Sequence, residues 1–311
     1  MKKFILLSSL FLIITKLTAQ QDPQYTQYMY NMSVLNPAYA TGIESDLNLG
    51  ALYRSQWVGA VGAPKTLTLF AHMPVNKKVE VGFSLISDDI GGGVKKENNF
   101  FADFAYLLEF NNNHKVSFGV KAGFTNLQTN FDGFVFESGN LGTDDAFSEN
   151  RNDIMPNVGV GAFYFTNNYY VGLSAPNLLA TKQFENRSGT NSFNRENTHV
   201  FLTAGYVFKV SEQFKFKPAL MSKYVSGAPI SLDVTANVLY NEKFEFGAAY
   251  RLGDSVSAMM NVKATPSIRV GYAYDYNTSS LGEFNSGTHE IFVLFNLDLS
   301  SRGYDKSPRF F

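Results

Sequence analysis

Short segments in which apolar and polar residues alternate strictly are the feature that most limits how this chain can fold. In residues 116–125, for example, Val116, Phe118 and Val120 share one parity, and Lys121 takes the other. Successive side chains of a β-strand point to opposite faces, so a period of two indicates a strand with one apolar and one polar face. Each segment is roughly ten residues long, the length of a tilted strand that crosses a bilayer.

The alternation recurs along the chain and predicts an all-β fold. After the N-terminal leader, no apolar run reaches the ~20 residues of a membrane-spanning helix. We predict about 14 strands, an even number as a single-chain bacterial barrel requires. Their spans are 44–54, 65–75, 79–87, 97–110, 115–127, 155–166, 168–175, 198–210, 214–226, 229–240, 243–252, 255–264, 267–276 and 288–299. The sequence therefore predicts a transmembrane antiparallel β-barrel.

The connections between these strands sort by length, which supports a barrel independently. Alternate connections are short and turn-like, as periplasmic turns are: they are residues 76–78, 111–114, 167, 211–213, 241–242 and 265–266. The intervening connections include the long ones expected outside the cell: 55–64, 88–96, 128–152, 176–197 and 277–287. Only 227–228 and 253–254 are short where length is allowed.

Most charged residues of the strands fall on the polar parity. An Arg or Lys at the midplane of a lipid-facing surface costs about 2–4 kcal/mol, so a barrel confines charge to its lumen. The predicted lumen charges are Asp103, Lys121, Asp233, Glu245, Arg251, Lys263, Arg269, Asp275, Glu290 and Asp298. A secreted soluble β-sandwich is the alternative, because it also alternates, but it does not explain apolar faces without charge on so many strands.

The two ends of the chain differ from the barrel segment. Residues 1–19 have a basic start, an apolar core and a small-residue exit, which predicts a signal peptide. The chain then divides into an N-terminal segment at 20–43, the barrel at 44–299 and a tail at 300–311. The leader predicts export, and we expect the protein in the outer membrane, in contact with its lipid.

Composition excludes several classes of function. A net charge of −1 without a basic block argues against a nucleic-acid partner. The absence of cysteine excludes disulfides, thiolate metal sites and a cysteine nucleophile. The four histidines, His72, His114, His199 and His289, lie far apart without a metal-binding spacing. We therefore expect no catalytic residue, no metal and no cofactor; a rim enzyme that uses His199 or His289 is the alternative.

The N-terminal segment is rich in tyrosine and side-chain amides and almost without charge. It is too polar to cross a membrane, and its tyrosines offer large contact area with a hydroxyl that needs a partner. We predict that it lies in the lumen or at the periplasmic mouth; a periplasmic arm without a fixed position is the alternative. Its candidate contact residues are Asp22, Pro23, Gln24, Tyr25, Gln27, Tyr28, Tyr30, Asn36, Pro37 and Tyr39.

A second candidate surface follows the first predicted strand. Trp57 is the only tryptophan, and it stands where that strand leaves the membrane. One interpretation is an interfacial aromatic residue. The other is that Arg54, Gln56 and Trp57 form a surface for the N-terminal segment or for a partner.

Several motifs, in their order along the chain, resemble one family. They are QDPQYTQYMYN from Gln21, NPAYA from Asn36, YRSQWVGAVGAPKT from Tyr53, YYVGLSAPNLL from Tyr169, SGAPISLD from Ser226, GYAYDY from Gly271, THEIFVLFNL from Thr288 and the terminal SPRFF. Together they resemble the PorP/SprF family of outer-membrane proteins associated with the type IX secretion system. The first motif is the most specific.

The resemblance implies a function that the barrel pattern alone does not. It implies a non-enzymatic protein that works with type IX secretion components. Such a protein binds the C-terminal domain of a cognate secreted, adhesin-like protein and helps to export or anchor it. The long loops are natural docking sites, and their candidate anchors are Phe131, Phe134, Phe136, Phe147, Phe184 and Phe193. The alternatives are a diffusion pore for small solutes and a structural link between the secretion machinery and the outer membrane.

Overall fold

The computed structural model describes residues 23–39, 46–111, 113–131, 150–179, 182–185, 192–195 and 198–298 of the 311-residue chain. Its strands are Asp46–Ser55 (β1), Lys65–Pro74 (β2), Val79–Ile90 (β3), Lys95–Asn111 (β4), His114–Thr129 (β5), Arg151–Phe165 (β6), Tyr169–Ala175 (β7), Lys182–Glu185 (β8), Ser192–Arg195 (β9), His199–Tyr206 (β10), Phe208–Lys209 (β11), Phe214–Val225 (β12), Ser231–Tyr240 (β13), Phe244–Arg251 (β14), Ser255–Thr265 (β15), Ile268–Asn277 (β16) and Thr288–Asp298 (β17).

The helical elements are short. They are a 3₁₀ turn at Tyr28–Tyr30, an α-helix at Met32–Leu35 and a 3₁₀ helix at Ser280–Phe284. Within the described ranges, none of these helices has the length and apolar character needed to span a membrane.

The main sheet closes on itself as an antiparallel barrel. β1 pairs with β17 along its whole length, from Asp46 opposite Asp298 to Ser55 opposite His289. β10 and β11 follow each other along the same edge of β12, separated by Val207, and form one position in the ring. The ring therefore has 14 strand positions, which confirms the predicted fold class and strand number. Closure pairs the edges of the sheet, as hydrocarbon surroundings demand.

The connections define two different rims. One end of the barrel, the short-turn rim, carries the connections 75–78, 112–113, 166–168, 210–213, 241–243 and 266–267. The opposite end, the long-loop rim, carries 56–64, 91–94, 130–150, 176–198, 226–230, 252–254 and 278–287. The prediction that short and long connections alternate along the chain is confirmed apart from one connection.

That exception is the connection predicted over 88–96, and the prediction of a long loop there is wrong. β3 continues to Ile90 and β4 starts at Lys95, so only 91–94 form the turn. Gly91, Gly92 and Gly93 have φ angles of 76°, 66° and 102°, which close the hairpin tightly. The glycine run therefore ends a long ladder instead of marking a long loop.

A second difference lies in the predicted loop 176–197. It contains a two-stranded hairpin, β8 and β9, in which Phe184 is opposite Phe193. This pair belongs to its own small sheet, outside the barrel ring.

The two faces of the barrel strands have opposite character. On β5, the outward-facing side chains of Phe118 and Val120 are each 54% exposed. The inward-facing side chain of Lys121 is 2% exposed. Of the predicted lumen charges, Lys121, Asp233, Glu245, Arg251, Asp275 and Glu290 are buried, and Asp103, Lys263 and Arg269 are half-buried. The side chain of Asp298 lies outside the described part. The outer face is therefore apolar and the inner face charged.

Aromatic residues ring the outer surface near both rims. At the short-turn rim, the rings of Tyr169 and Tyr206 stack at 6.1 Å, and Phe208 lies 4.3 Å from Tyr206. At the long-loop rim, the outward tyrosines are Tyr53, Tyr224, Tyr250 and Tyr276. Two such girdles are typical of barrels that span a membrane.

Candidate functional site: the N-terminal plug in the lumen

Residues 23–39, which we call the plug, lie inside the barrel. The plug begins toward the long-loop rim, where the Tyr25 hydroxyl is 2.8 Å from that of Thr68, near the start of β2. It ends toward the short-turn rim, where Tyr39 packs edge-on against His72 at 5.8 Å, near the end of β2. The plug thus passes through the lumen and is not confined to one mouth.

A buried charged group, the anchor cluster, fixes the first part of the plug. It consists of Thr26, Arg54, Asp275 and Glu290. Arg54 bonds Asp275 at 2.8 Å and Glu290 at 2.9 Å, and also donates to the Thr26 hydroxyl at 2.9 Å. That hydroxyl donates to Asp275, and the backbone N–H groups of Thr26 and Gln27 donate to Glu290 at 3.0 and 2.8 Å. The charges are therefore paired with each other and with the plug.

Strand pairing brings the anchor cluster together. Arg54 of β1 is directly opposite Glu290 of β17, and Asp275 of β16 is opposite Thr288 on the other edge of β17. All three side chains lie on the lumen parity of neighbouring strands near the long-loop rim. Because each member is buried, an unpaired charge there would be strongly destabilising.

A second polar group holds the middle of the plug. The Tyr30 hydroxyl donates to Glu245, and Asn261 donates to Tyr30 at 3.2 Å. Glu245 also accepts from Asn237 at 2.6 Å and pairs with Arg269 at 3.4 Å. The Tyr30 hydroxyl therefore joins the plug to a buried carboxylate of the wall.

The end of the plug's α-helix is bonded by the opposite wall. Lys121 donates to the carbonyl of Val34 at 2.6 Å, and Ser174 donates to that of Leu35 at 2.8 Å. Asn36 donates to the carbonyl of Ala162 at 3.1 Å. The first two bonds satisfy carbonyls that a short helix leaves unpaired at its C-terminus, and the third ties the residue after the helix to β6.

Two glycines of the wall permit close approach of the plug backbone. A Cβ atom on Gly119 would lie 2.3 Å from Pro37 and Ala38, and one on Gly161 would lie 2.1 Å from the Asn36 side chain. No side chain fits in these gaps, so the wall is shaped to the plug at β5 and β6.

Aromatic packing fills the space between the polar groups. Tyr30 stacks on Phe292 at 4.7 Å, and Tyr39 meets Phe163 edge-on at 5.5 Å. Tyr28 is fully buried and belongs to the same apolar cluster. The plug therefore reaches the wall on most sides of the ring, through contacts with β1, β2, β5, β6, β7 and β13–β17.

The residues predicted beside Trp57 separate in the structure. Arg54 points into the lumen, whereas Gln56 and Trp57 lie in the connection at the long-loop rim. There the backbone N–H of Gln56 donates to Pro64 at 3.0 Å, and that of Trp57 donates to Thr288 at 3.1 Å. The predicted common surface is thus divided between the plug contact and the rim.

The loop residues predicted as anchors are only partly within the described structure. The backbone N–H of Phe131 donates to Asn150 at 2.9 Å across the base of its loop. Phe184 and Phe193 are opposite each other on β8 and β9, but their side chains lie outside the described part. Asp22, Phe134, Phe136 and Phe147 are outside the described residues.

Sequence reasoning missed the polar wall contacts of the plug. Thr68, Ser174, Asn237 and Asn261 were not predicted as partners, although their lumen parity is visible in the alternation. In the described part of the chain, no group of three His, Asp or Glu residues is placed to hold a metal ion.

Loss of the Tyr30 hydroxyl provides a local test of the plug. The chain has no cysteine, so a single Val34→Cys, at a residue 4% exposed, reports plug opening by maleimide labelling. In that background, Tyr30→Phe removes a bond to a carboxylate, about 1.5–3 kcal/mol, and we expect labelling to be roughly ten- to a hundredfold faster. Tyr25→Phe is the matched control, because the hydroxyl that it removes bonds to the neutral Thr68 hydroxyl and not to a carboxylate. Equal rates in the two variants would contradict a special role of the Glu245 group.

Comparison with known proteins places this barrel among secretion proteins. A family model described as "Type IX secretion system membrane protein PorP/SprF" matches residues 17–295. The chain belongs to the PorP/SprF family. The family and the barrel fold both support an outer-membrane location, whereas the signal peptide at 1–19 lies outside the described residues and stays a prediction. A comparison with curated proteins found no match.

Solved structures share the barrel fold with this PorP/SprF member. The CymD monoaromatic hydrocarbon channel is 12% identical, with a TM-score of 0.51, and the match covers 88% of this chain and 92% of that chain. The TodX deltaS2S3 mutant, also a monoaromatic hydrocarbon channel, is 10% identical with a TM-score of 0.52, and the match covers 86% of this chain and 94% of that chain. The Ralstonia pickettii toluene transporter TbuX is 10% identical with a TM-score of 0.51, and the match covers 86% of this chain and 93% of that chain. At such low identity, these matches show the fold alone.

Proposed function

We propose that this PorP/SprF protein is a closed, non-enzymatic barrel that binds the C-terminal domain of a cognate secreted protein and helps to export or anchor it. The observation that carries the proposal is the occupied lumen. The plug bonds to the wall through Thr26, which contacts the buried Arg54, Asp275 and Glu290 group, and through Tyr30, which donates to Glu245. A barrel filled in this way offers its rims, not its interior, to a folded partner.

The long-loop rim is the proposed docking surface for the secreted domain. Short turns of bacterial barrels face the periplasm, so the long-loop rim would face outward. It carries the connections 130–150 and 176–198, the second of which contains the β8–β9 hairpin. Long outer loops on a rigid barrel are suited to recognition. The aromatic anchors proposed within them are Phe131, Phe134, Phe136, Phe147, Phe184 and Phe193.

A diffusion pore is the second candidate function. It is favoured by a cavity of about 530 Å³ that enters the barrel at the short-turn rim and ends at the plug. Two of the similar structures are named as hydrocarbon channels, and a third as a toluene transporter. Conduction would require the plug to move. A structural link to the secretion machinery would instead use the short-turn rim.

The test is purification of the tagged full-length protein from its native outer membrane in gentle detergent, followed by mass spectrometry. We expect a large secreted protein in near-equal amount. It should be lost when its C-terminal domain is removed, and lost again when 130–150 and 176–198 are both replaced by short turns. Replacement of 278–287 on the same rim is the control and should leave the pair intact. Recovery of the barrel alone from the unaltered strain would contradict the proposal.

A further inference from the structure

The short-turn rim contains a second concave site, separate from the long loops. We call the cavity of about 530 Å³ at this rim the vestibule; its floor is the plug, at Tyr30, Ser33 and Tyr39. Its size falls within the roughly 300–1,000 Å³ of typical ligand pockets. Because it opens at the end of the lumen, a ligand enters it from the aqueous side and not from the lipid.

One side of the vestibule's lip is a row of turns connected by backbone hydrogen bonds. The backbone N–H of Asn241 donates to Gln213 at 2.8 Å, and that of Lys263 donates to Lys243 at 2.9 Å. On the next strand pair, Asn296 donates to Ser267 at 2.8 Å. The first two bonds join one hairpin to its neighbour and the third joins the β15–β16 turn to β17, so a ligand meets a surface that needs little ordering on binding.

The vestibule combines cationic and apolar walls. Its charged lining residues are Lys209, Lys215, Lys263, Arg269, Glu212 and Glu242, four cations against two carboxylates, which gives a net charge of +2. The carboxylates already pair with lysines, at 2.6 Å for Lys209–Glu212 and 2.5 Å for Lys215–Glu242. Leu49, Phe70 and Leu294 supply apolar surface deeper in the cavity. A ligand that fits this lining has negative charge beside apolar groups.

We propose that the vestibule binds an acidic peptide segment, with apolar residues between its carboxylates, from a protein on the periplasmic side. Arg269 connects this site to the plug. It lies 2.6 Å from Asn261 and 3.4 Å from Glu245, and its guanidinium is 5.7 Å from the Tyr30 ring. A carboxylate that pairs with Arg269 would therefore act on the group that holds Tyr30. The proposal uses the same membrane orientation as the cargo proposal but does not depend on cargo binding.

The test uses a fluorescein-labelled peptide of alternating glutamate and leucine or phenylalanine, and a matched peptide with glutamine in place of glutamate. Binding to the full-length protein in detergent is followed by fluorescence anisotropy. We expect the acidic peptide to bind and the glutamine peptide to bind about tenfold more weakly or not at all. Bound acidic peptide should also protect Ser33→Cys on the vestibule floor from maleimide.

Two double variants locate the binding site. Lys215→Gln with Lys263→Gln changes the lip and should raise the Kd of the acidic peptide about tenfold. Lys77→Gln with Lys78→Gln removes the same charge from an exposed turn on the same rim, outside the vestibule, and should leave the Kd unchanged. Heat-modified migration in SDS gels checks that both variants fold. The proposal is overturned if the two double variants weaken binding equally, if the glutamine peptide binds as well, or if Ser33→Cys is not protected.

Discussion

Arg54→Ala should release the plug while the barrel stays folded. The substitution leaves Asp275 and Glu290 as neighbouring buried carboxylates without their cation, and breaking a buried pair in this way costs about 3–5 kcal/mol. The strand ladder of the barrel does not involve this side chain, so water entering the lumen relieves the charges once the plug has moved. We expect maleimide labelling of Val34→Cys to accelerate by at least about a hundredfold. Migration of the folded barrel in unheated SDS gels should remain unchanged.

A variant of the anchor cluster without charges distinguishes the effect of unpaired carboxylates from the effect of a missing Arg54 side chain. Arg54→Met combined with Asp275→Asn and Glu290→Gln removes the cation and both unpaired charges together. Replacing a whole buried ion group is often neutral, so this triple variant should label far more slowly than Arg54→Ala. Labelling of Val34→Cys at the parent rate in Arg54→Ala would show that the anchor cluster does not hold the plug.

The sequence predicts the barrel well because one physical rule acts on every strand. Because lipid lies outside and a polar lumen inside, each strand has one apolar and one polar face. The orientation of residues such as Phe118 and Lys121 can therefore be predicted from their position in the alternation alone. The charge on Glu290 could be assigned to the lumen in the same way. The 14 strand positions and the sorting of most connections followed from this rule.

The contacts of the plug could not be predicted from the same pattern. Thr26 and Glu290 are 264 residues apart, and their meeting depends on the register of β1, β16 and β17. Alternation fixes which face a residue occupies, but not its height relative to a residue on another strand. The β8–β9 hairpin escaped prediction for a related reason, because four-residue strands are too short to show a period. The family resemblance indicated that the N-terminal motif matters, but not what it touches.

Deletion of residues 23–39 should convert a closed barrel into a conducting one. The closing pairs β1–β17 and β10–β12 do not involve the plug, so the ring can still form. Barrels between the filled eight-stranded and the open sixteen-stranded kinds are wide enough to hold water when nothing fills them. The charged inner wall, with Lys121, Asp233 and Glu245, would then be hydrated instead of buried. In planar bilayers we expect the conductance per barrel to rise roughly tenfold or more over the full-length protein.

The full-length protein and a retained-plug variant make this measurement decisive. Tyr25→Phe loses the hydrogen bond to the neutral Thr68 hydroxyl and keeps the plug, so its conductance should match that of the parent. Arg54→Ala should give intermittent openings that reach the level of the deletion, because its plug leaves and returns. If the full-length protein already conducts as much as the deletion, the plug is no barrier and the diffusion pore becomes the better account. If the deletion conducts no more than the parent, something other than residues 23–39 closes the lumen, and the docking proposal loses the observation on which it rests.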